Sequence, residues 1–329
     1  MSEAVEKAEL DRALALDIVR VTEATAVAAA QWLGRGDEAS ADQAAAAAMH
    51  REVARLPFEG IVVVGEGEEG ECPFFFLGEK IGAGSASGAI LDVAVDPIEG
   101  TTLCAKALPN AMSVLVVAER GSLLKVPPIY MEKVAIGPGY PEGVVSVAAS
   151  PTDNLTALAD AKGVGVQDLT VCVLDRPRHG DLIEEIRSAG AALRLIGDGD
   201  IAGVIHVTDP LQTDIDIYLG TGGAAEGVLA AAALTCLGGQ MEGRLVALNK
   251  EHRAWAKLAG ITNLSKTYAL KDMVAGDISF AATGITDGSL MAGVHHTRTA
   301  TITESVVMRA STRTRRWIKT EHANPKKFA

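Results

Sequence analysis

The chain has 329 residues, 48% hydrophobic and only 4% aromatic, and carries a net charge of −12. The length suits one large domain or two medium ones, and the hydrophobic share excludes an intrinsically disordered chain. The charge argues against nucleic acid and anionic membranes as partners, and the scarcity of aromatics against a base-stacking platform.

In chain order, residues 9–33 place Leu10, Leu14, Ile18 and Val21 at helical spacing, with a stop at Gly34-Arg35-Gly36. Ser40 is placed to cap a second helix, Ala41–Leu56, putting Asp42 in its first turn, where an acid complements the helix dipole. Ile61–Val64 reads as a strand opening into the acidic, glycine-interleaved segment 65–71. Phe74–Leu77 reads as a strand, 82–88 as a flexible turn and Ala89–Val95 as a further strand. Ala111–Ala118 and Val134–Ile136 read as strands of the same sheet.

The texture changes after Pro138-Gly139-Tyr140-Pro141, which sets two halves, 1–142 and 143–329. In the second, strands at Leu169–Leu174, Ala192–Ile196 and Ile215–Leu219 alternate with helices at His179–Ala189, Ile201–His206 and Glu226–Leu237. That alternation predicts an α/β layer with its ligand groups at the carboxyl ends of the strands. Loops 175–179, 197–200 and 220–226 fall there. Ile278–Thr283 and Thr301–Met308 read as closing strands, and the basic run Arg313–Lys319 as a solvated helix or strand face.

No apolar run approaches the ~18 residues of a membrane span, and MSEAVEKAELDRAL lacks a signal-peptide core. Cys72, Cys104, Cys172 and Cys236 contain no CxxC pair. They suit a reducing, cytoplasmic location. A regulatory pairing of Cys72 with Cys104 is the alternative to plain free thiols.

The chemistry concentrates in DVAVDPIEGTT, residues 92–102. Acids at 92, 96 and 99, with hydroxyls just beyond, suit divalent metals and a phosphate. Pro97 stiffens the turn, Gly100 lets the backbone approach, and Thr101 can place a water. Asp92 is expected to support the motif turn or a ligand rather than bind metal itself. Asp42, Glu66, Asp96, Glu99 and Glu226 form an oxygen-only donor set, which points to Mg²⁺ or Mn²⁺ rather than zinc. Arg176 and Arg178 can grip a phosphate through forked hydrogen bonds, and backbone amides at 220–223 could cradle another. His50, His179, His206 and the His295-His296 pair show no ligand spacing.

DVAVDPIEGTT resembles the signature of the lithium-sensitive, metal-dependent sugar and inositol phosphatases. With WLGRGDEASAD, VVVGEGE, YMEKVAIGPG, RPRHGDLI, DGDIAG and GTGGAAEGV in the same order, the chain resembles the class II, GlpX-type fructose-1,6-bisphosphatases from about residue 14 to about 320. The resemblance implies a layered α/β/α/β/α sandwich, with a metal-binding first half and a substrate-phosphate second half. It implies hydrolysis of the 1-phosphate of fructose 1,6-bisphosphate, in gluconeogenesis or a carbon-fixation cycle, by a homodimer or homotetramer.

Carried over by position, the metal ligands are Asp42, Glu66, Asp96, Glu99 and Glu226. The substrate contacts are Glu99, Gly100, Thr101, Tyr130, Arg176, Arg178, Asp198, Asp200 and Gly223. Thr101, oriented by Asp42, positions the attacking water. Gly70 stands where the family pattern has an acid, Gly180 follows Arg178-His179 where an acid is common, and 249–260 is short for the family. Sedoheptulose 1,7-bisphosphate is the rival substrate, and a less specific inositol or nucleotide phosphatase is a weaker rival. An inactive sugar-phosphate-binding protein is the non-enzyme alternative, separated from the enzyme by phosphate release.

Overall fold

The computed structural model describes residues 14–84 and 90–324. Residues 1–13, with Leu10 and most of the charged N-terminal stretch, lie outside the described residues, as do 85–88 of the expected turn and Ala89 of the expected strand.

Helices α1 (Leu14–Ala30) and α2 (Glu38–Val53) precede strands β1 (Glu59–Val64), β2 (Lys80–Ile81) and β3 (Ile90–Glu99). A short helix, α3 (Thr101–Ala105), turns the chain into β4 (Met112–Glu119), and β5 (Tyr130–Ile136) follows. Then come α4 (Pro151–Lys162), β6 (Thr170–Leu174), α5 (Gly180–Ala189), β7 (Ala192–Ile196), α6 (Asp200–His206), α7 (Pro210–Thr213) and β8 (Ile217–Gly223). The chain continues through α8 (Ala224–Leu237), β9 (Gln240–Val246), α9 (Lys250–Leu258), β10 (Thr267–Ala269) and α10 (Leu270–Met273). It closes with β11 (Ile278–Gly284), β12 (His295–His296), β13 (Thr301–Arg309) and β14 (Thr314–His322).

Two mixed sheets result. The first has the order β2-β1-β3-β4-β11-β13-β12, with β14 along the far side of β13. The second runs β10-β9-β5-β8-β6-β7. The first sheet thus collects strands from both ends of the chain, and the second takes β5 from before residue 142.

Helices complete a five-layer α/β/α/β/α sandwich. On the outer face of the first sheet, α1 buries Leu14, Ile18 and Val21 against Val93, Leu115 and Val117. Between the sheets lie α6 and α8. The α8 sequence is apolar around almost its whole circumference, as a helix covered on both sides must be. Full burial of Val228, Leu229 and Leu234 contributes about 1.5–3 kcal/mol each. On the outer face of the second sheet, α4 and α5 bury Leu155, Leu158 and Ile186 against Val171 and Ile217.

The second helix begins earlier than its sequence predicts. Asp37, not Ser40, is the cap, accepting from the Ser40 N–H at 3.0 Å. Glu38 therefore occupies the first turn and Asp42 moves to the second, away from the dipole role. Residues 74–77 are no strand. Phe75 has φ 57° and is fully buried, and its N–H is taken by Glu79, so the segment curls over β1 instead of pairing along it. Val134–Ile136 belongs to the second sheet, because β5 pairs with β8 and β9. Asp92 does not support the motif turn. It is fully buried and accepts from Arg120 and from the N–H groups of Gly121 (2.7 Å) and Leu123 (3.3 Å), fixing the turn after β4. The basic run lies mostly on β14, where Arg315, Arg316 and Lys319 are exposed. The turn at Gly70 needs φ 92°, which explains a glycine there without reference to chemistry.

Candidate active site

A cleft of about 280 Å³ opens where the two sheets' strand ends meet. Its walls include Asp42, Glu66, Asp96, Glu99, Thr101 and Glu226. All five carboxylates expected to hold metal therefore share one cavity, delivered by four local devices. Asp42 comes from α2, Glu66 from the loop after β1, and Asp96 and Glu99 from the irregular end of β3. Glu226 comes from the first turn of α8.

Local sequence explains each placement. Gly100 adopts φ 81°, and a Cβ there would meet Leu103 Cδ1 at 2.8 Å. This glycine ends the strand and lets Thr101 begin α3. Thr101 Oγ1 then lies 2.9 Å from Asp42 Oδ1 and 3.1 Å from the Ile98 carbonyl. Glu99 is buried, and its Oε1 accepts from the Ile201 N–H at 2.5 Å, joining β3 to the start of α6. The Glu66 N–H donates to Phe75 O at 3.0 Å, so the curled segment 74–77 anchors that ligand's backbone.

Crowding the acids shifts their protonation. Burial, then Glu99, holds Asp96 well above the usual carboxylate range. Burial, then the Glu226 charge, pushes Glu99 up to about 8, against the pull of the Ile201 N–H and of Asp96. Glu66 keeps a solvent-exposed edge on its loop, yet its carboxyl faces the cleft. Desolvation there, then Asp42 and Glu226, pushes it up to about 7. Asp42 and Glu226 are raised too, chiefly by burial, with Thr101 and Lys133 respectively pulling the other way. Among the described residues no three Asp, Glu, His or Cys side chains converge into a ready-made metal cage. The donor set nonetheless fits a hard divalent cation, because closely packed, desolvated carboxylates lack only positive charge.

The glycine-rich segment differs from its expected role. Residues 220–223 are the end of β8, paired with β5, rather than a loop. Their free edge is taken as well: the Thr221 N–H donates to His179 Nε2 at 2.8 Å, and Thr221 O accepts from Arg178 Nε at 2.9 Å. The Thr221 amide is therefore not available to a phosphate. The glycines also leave space. A Cβ at Gly222 would lie 2.0 Å from Asp200 Oδ2, and one at Gly223 1.8 Å from Glu226 Oε2.

The remaining substrate candidates divide by availability. Arg178 is exposed, and its guanidinium lies 5.0 Å from the Tyr130 ring centroid. Tyr130 pairs across the ladder with Gly223, three residues before Glu226. The ladder thus brings the Arg178–Tyr130 group to the strand end that leads into α8, although neither side chain lines the acid cleft itself. Arg176 binds the Gly197 carbonyl and Asp198 Oδ1 (3.3 Å), and so holds the 197–200 turn. Asp198 lines the cleft. Asp200 is buried and bonded to Lys133 and Tyr218.

Sequence reading missed Lys133 and Tyr218. Lys133 is 1% exposed, in mid-strand, and also donates to Gly223 O at 2.9 Å. A lysine inside the apolar run of YMEKVAI was the available signal, since such a residue is buried only when paired. The thiols are not activated: burial raises Cys72 and pushes Cys104 up to about 11.

Among the described residues no helix is long and apolar enough to cross a membrane. A sequence model of the glpX-encoded bacterial fructose-1,6-bisphosphatases matches residues 12–322. A protein of Synechococcus sp. strain JA-3-3Ab, named D-fructose 1,6-bisphosphatase class 2/sedoheptulose 1,7-bisphosphatase, is 40% identical over 95% of this chain and 96% of its own. Proteins of the same name from Synechococcus sp. strain JA-2-3B'a(2-13) and Thermosynechococcus vestitus are 39% and 38% identical, each over 95% of this chain and 96% of their own.

Proposed function

From a chain that belongs to the GlpX-type family of bacterial fructose-1,6-bisphosphatases, we propose metal-dependent hydrolysis of the 1-phosphate of D-fructose 1,6-bisphosphate to fructose 6-phosphate and phosphate. The observation that carries the reading is the Thr101–Asp42 hydrogen bond inside a cleft walled by five further carboxylates. Sedoheptulose 1,7-bisphosphate is a second substrate, favoured by the double name of all three relatives.

Asp42, Glu66, Asp96, Glu99 and Glu226 would hold Mg²⁺ or Mn²⁺, which when bound supplies positive charge for the phosphoryl oxygens and acidifies water. Thr101, kept in orientation by Asp42, directs the attacking water toward phosphorus. Arg178, whose terminal nitrogens remain available beyond its Nε bond, takes the distal phosphate beside Tyr130. Asp198 lies at the cleft wall for the sugar, while Arg176 and Asp200 hold the surrounding turns. The motif DPIEGT supports placement among the lithium-sensitive, metal-dependent phosphatases, and the family resemblance supports a cytoplasmic homodimer or homotetramer acting in gluconeogenesis or carbon fixation.

The decisive experiment is phosphate release from both bisphosphates with Mg²⁺, with Mn²⁺ and with EDTA. Metal-dependent release that disappears in Asp96→Ala is the expected result. No release from either sugar under any condition overturns the reading. Arg178→Ala is expected to raise the bisphosphate KM by about 10-fold or more with kcat little changed, because it removes binding common to ground and transition states. An unchanged KM would remove Arg178 from the distal phosphate.

A further inference from the structure

We propose that His252 is a further donor to the distal phosphate, completing with Arg178 and Tyr130 the far end of the substrate site. The inference rests on the bisphosphatase reading above. His252 lies in the first turn of α9, a helix to which the metal and reaction chemistry assign nothing.

Three observations carry it. The first is position. The His252 ring lies 5.7 Å from the Tyr130 ring, and the Arg178 guanidinium lies 5.0 Å from that same ring. Tyr130 opens β5 between Gly223 of β8 and Val246 of β9, and α9 follows β9 after a short connection. The ladder thus brings the three side chains together at the end of the strands that also carry Glu226.

The second is tautomer. The Leu248 N–H donates to His252 Nδ1 at 3.3 Å, so Nδ1 accepts and the ring proton sits on Nε2. Among the described residues nothing accepts from that Nε2–H. Arg178 is similar, with Nε spent on Thr221 O and its terminal nitrogens without an acceptor among the described residues. Two uncommitted donors and a phenol around one ring match a phosphate better than a neutral ligand.

The third is preorganisation. The side chain of Asn249 caps α9 by accepting from the His252 N–H at 2.7 Å. Trp255 also stacks on the ring, with centroids 5.6 Å apart and planes at 21°. A ring in contact with two aromatics loses little freedom when it binds.

Packing alone could also place a histidine against Tyr130 and Trp255, so the test separates donor from ring. His252→Phe keeps an aromatic in the stack and removes the donor, while His252→Gln restores an N–H. Each variant is compared with the parent by the KM for fructose 1,6-bisphosphate and by the calorimetric Kd for fructose 6-phosphate, which carries only the distal phosphate. His252→Phe is expected to raise both by about 5- to 20-fold, with kcat within about two-fold, and His252→Gln to recover part of the loss.

Parent-like values of both constants in His252→Phe would mean that the ring only packs, and overturn the proposal. So would a fall in kcat with KM and Kd unchanged. A parent protein that neither releases phosphate from the bisphosphate nor binds fructose 6-phosphate would sink the bisphosphatase reading, and this inference with it.

Discussion

Replacing Thr101 by alanine lowers kcat by about 100-fold or more while KM changes little. The hydroxyl bonds Asp42 at 2.9 Å and the Ile98 carbonyl at 3.1 Å, so it is held by two elements, α2 and the end of β3. Such a group adds nothing to the grip on a resting substrate and acts by aiming water, which is felt only as the new bond forms. Asp42→Asn should reproduce much of the loss, since a neutral amide is a weaker acceptor than a carboxylate and holds the hydroxyl less firmly. Thr101→Ser should retain most of the rate, because it keeps the oxygen. Steady-state kinetics on the three variants check this. A Thr101→Ala enzyme with parental kcat would remove the residue from the chemistry, whatever its place in the cleft.

The second large effect is on stability in the metal-free state. Glu66 and Glu99 have folded pKa values pushed up to about 7 and about 8, and Asp96 and Glu226 are shifted in the same direction. Unfolded glutamates titrate near ~4.3. Between those limits the native state binds more protons than the unfolded one, so stability falls as pH rises. The stabilisation is complete below about pH 4.3 and is lost as pH climbs through about 7 and 8.

His206 acts in the opposite sense. Burial lowers its pKa to about 4, so its contribution grows with pH between there and its ordinary value of 6.5. The acid effect is therefore cleanest above pH 6.5. Thermal melting of EDTA-treated protein should show Tm falling by several degrees between about pH 6.5 and 9. Millimolar Mn²⁺ should recover most of that loss, by binding the native carboxylates alone. A Tm indifferent to pH over this range, with and without metal, would contradict both the shifts and the metal assignment.

Much of this was legible in the residues. Strands with regular apolar runs, such as Ala111–Ala118 and Ile278–Thr283, formed where expected, within a residue or so at either end. Periodicity is a local property, and burial on both faces makes it strong. The five acids now found around one cleft were also marked, because a strand that ends in Asp-Pro-Ile-Glu-Gly-Thr has few purposes other than chemistry. Errors arose where long-range partners override local preference. The run Phe74–Leu77 has strand-like composition, yet it is bent by the left-handed Phe75 and the carboxylate of Glu79. Gly220–Gly223 has loop-like composition, yet it continues β8, because its missing side chains make room for the carboxylates of Asp200 and Glu226.

Residue order alone settles the long apolar strands and helices, the acidic character of the strand ends and the family to which the chain belongs, for these depend on neighbours in the chain. Only tertiary packing decides which strands share a sheet, since β5 could join either one and does so by pairings with residues 81–116 positions later in the chain. The same is true of Asp200, a turn former by its DG context that becomes the buried partner of Lys133 and Tyr218. It is true again of His252, whose position beside Tyr130 no spacing in the chain announces. Hydrogen bonds, charge pairs and ring contacts between distant segments set these roles. Their free energy exists only once desolvation has brought the partners together.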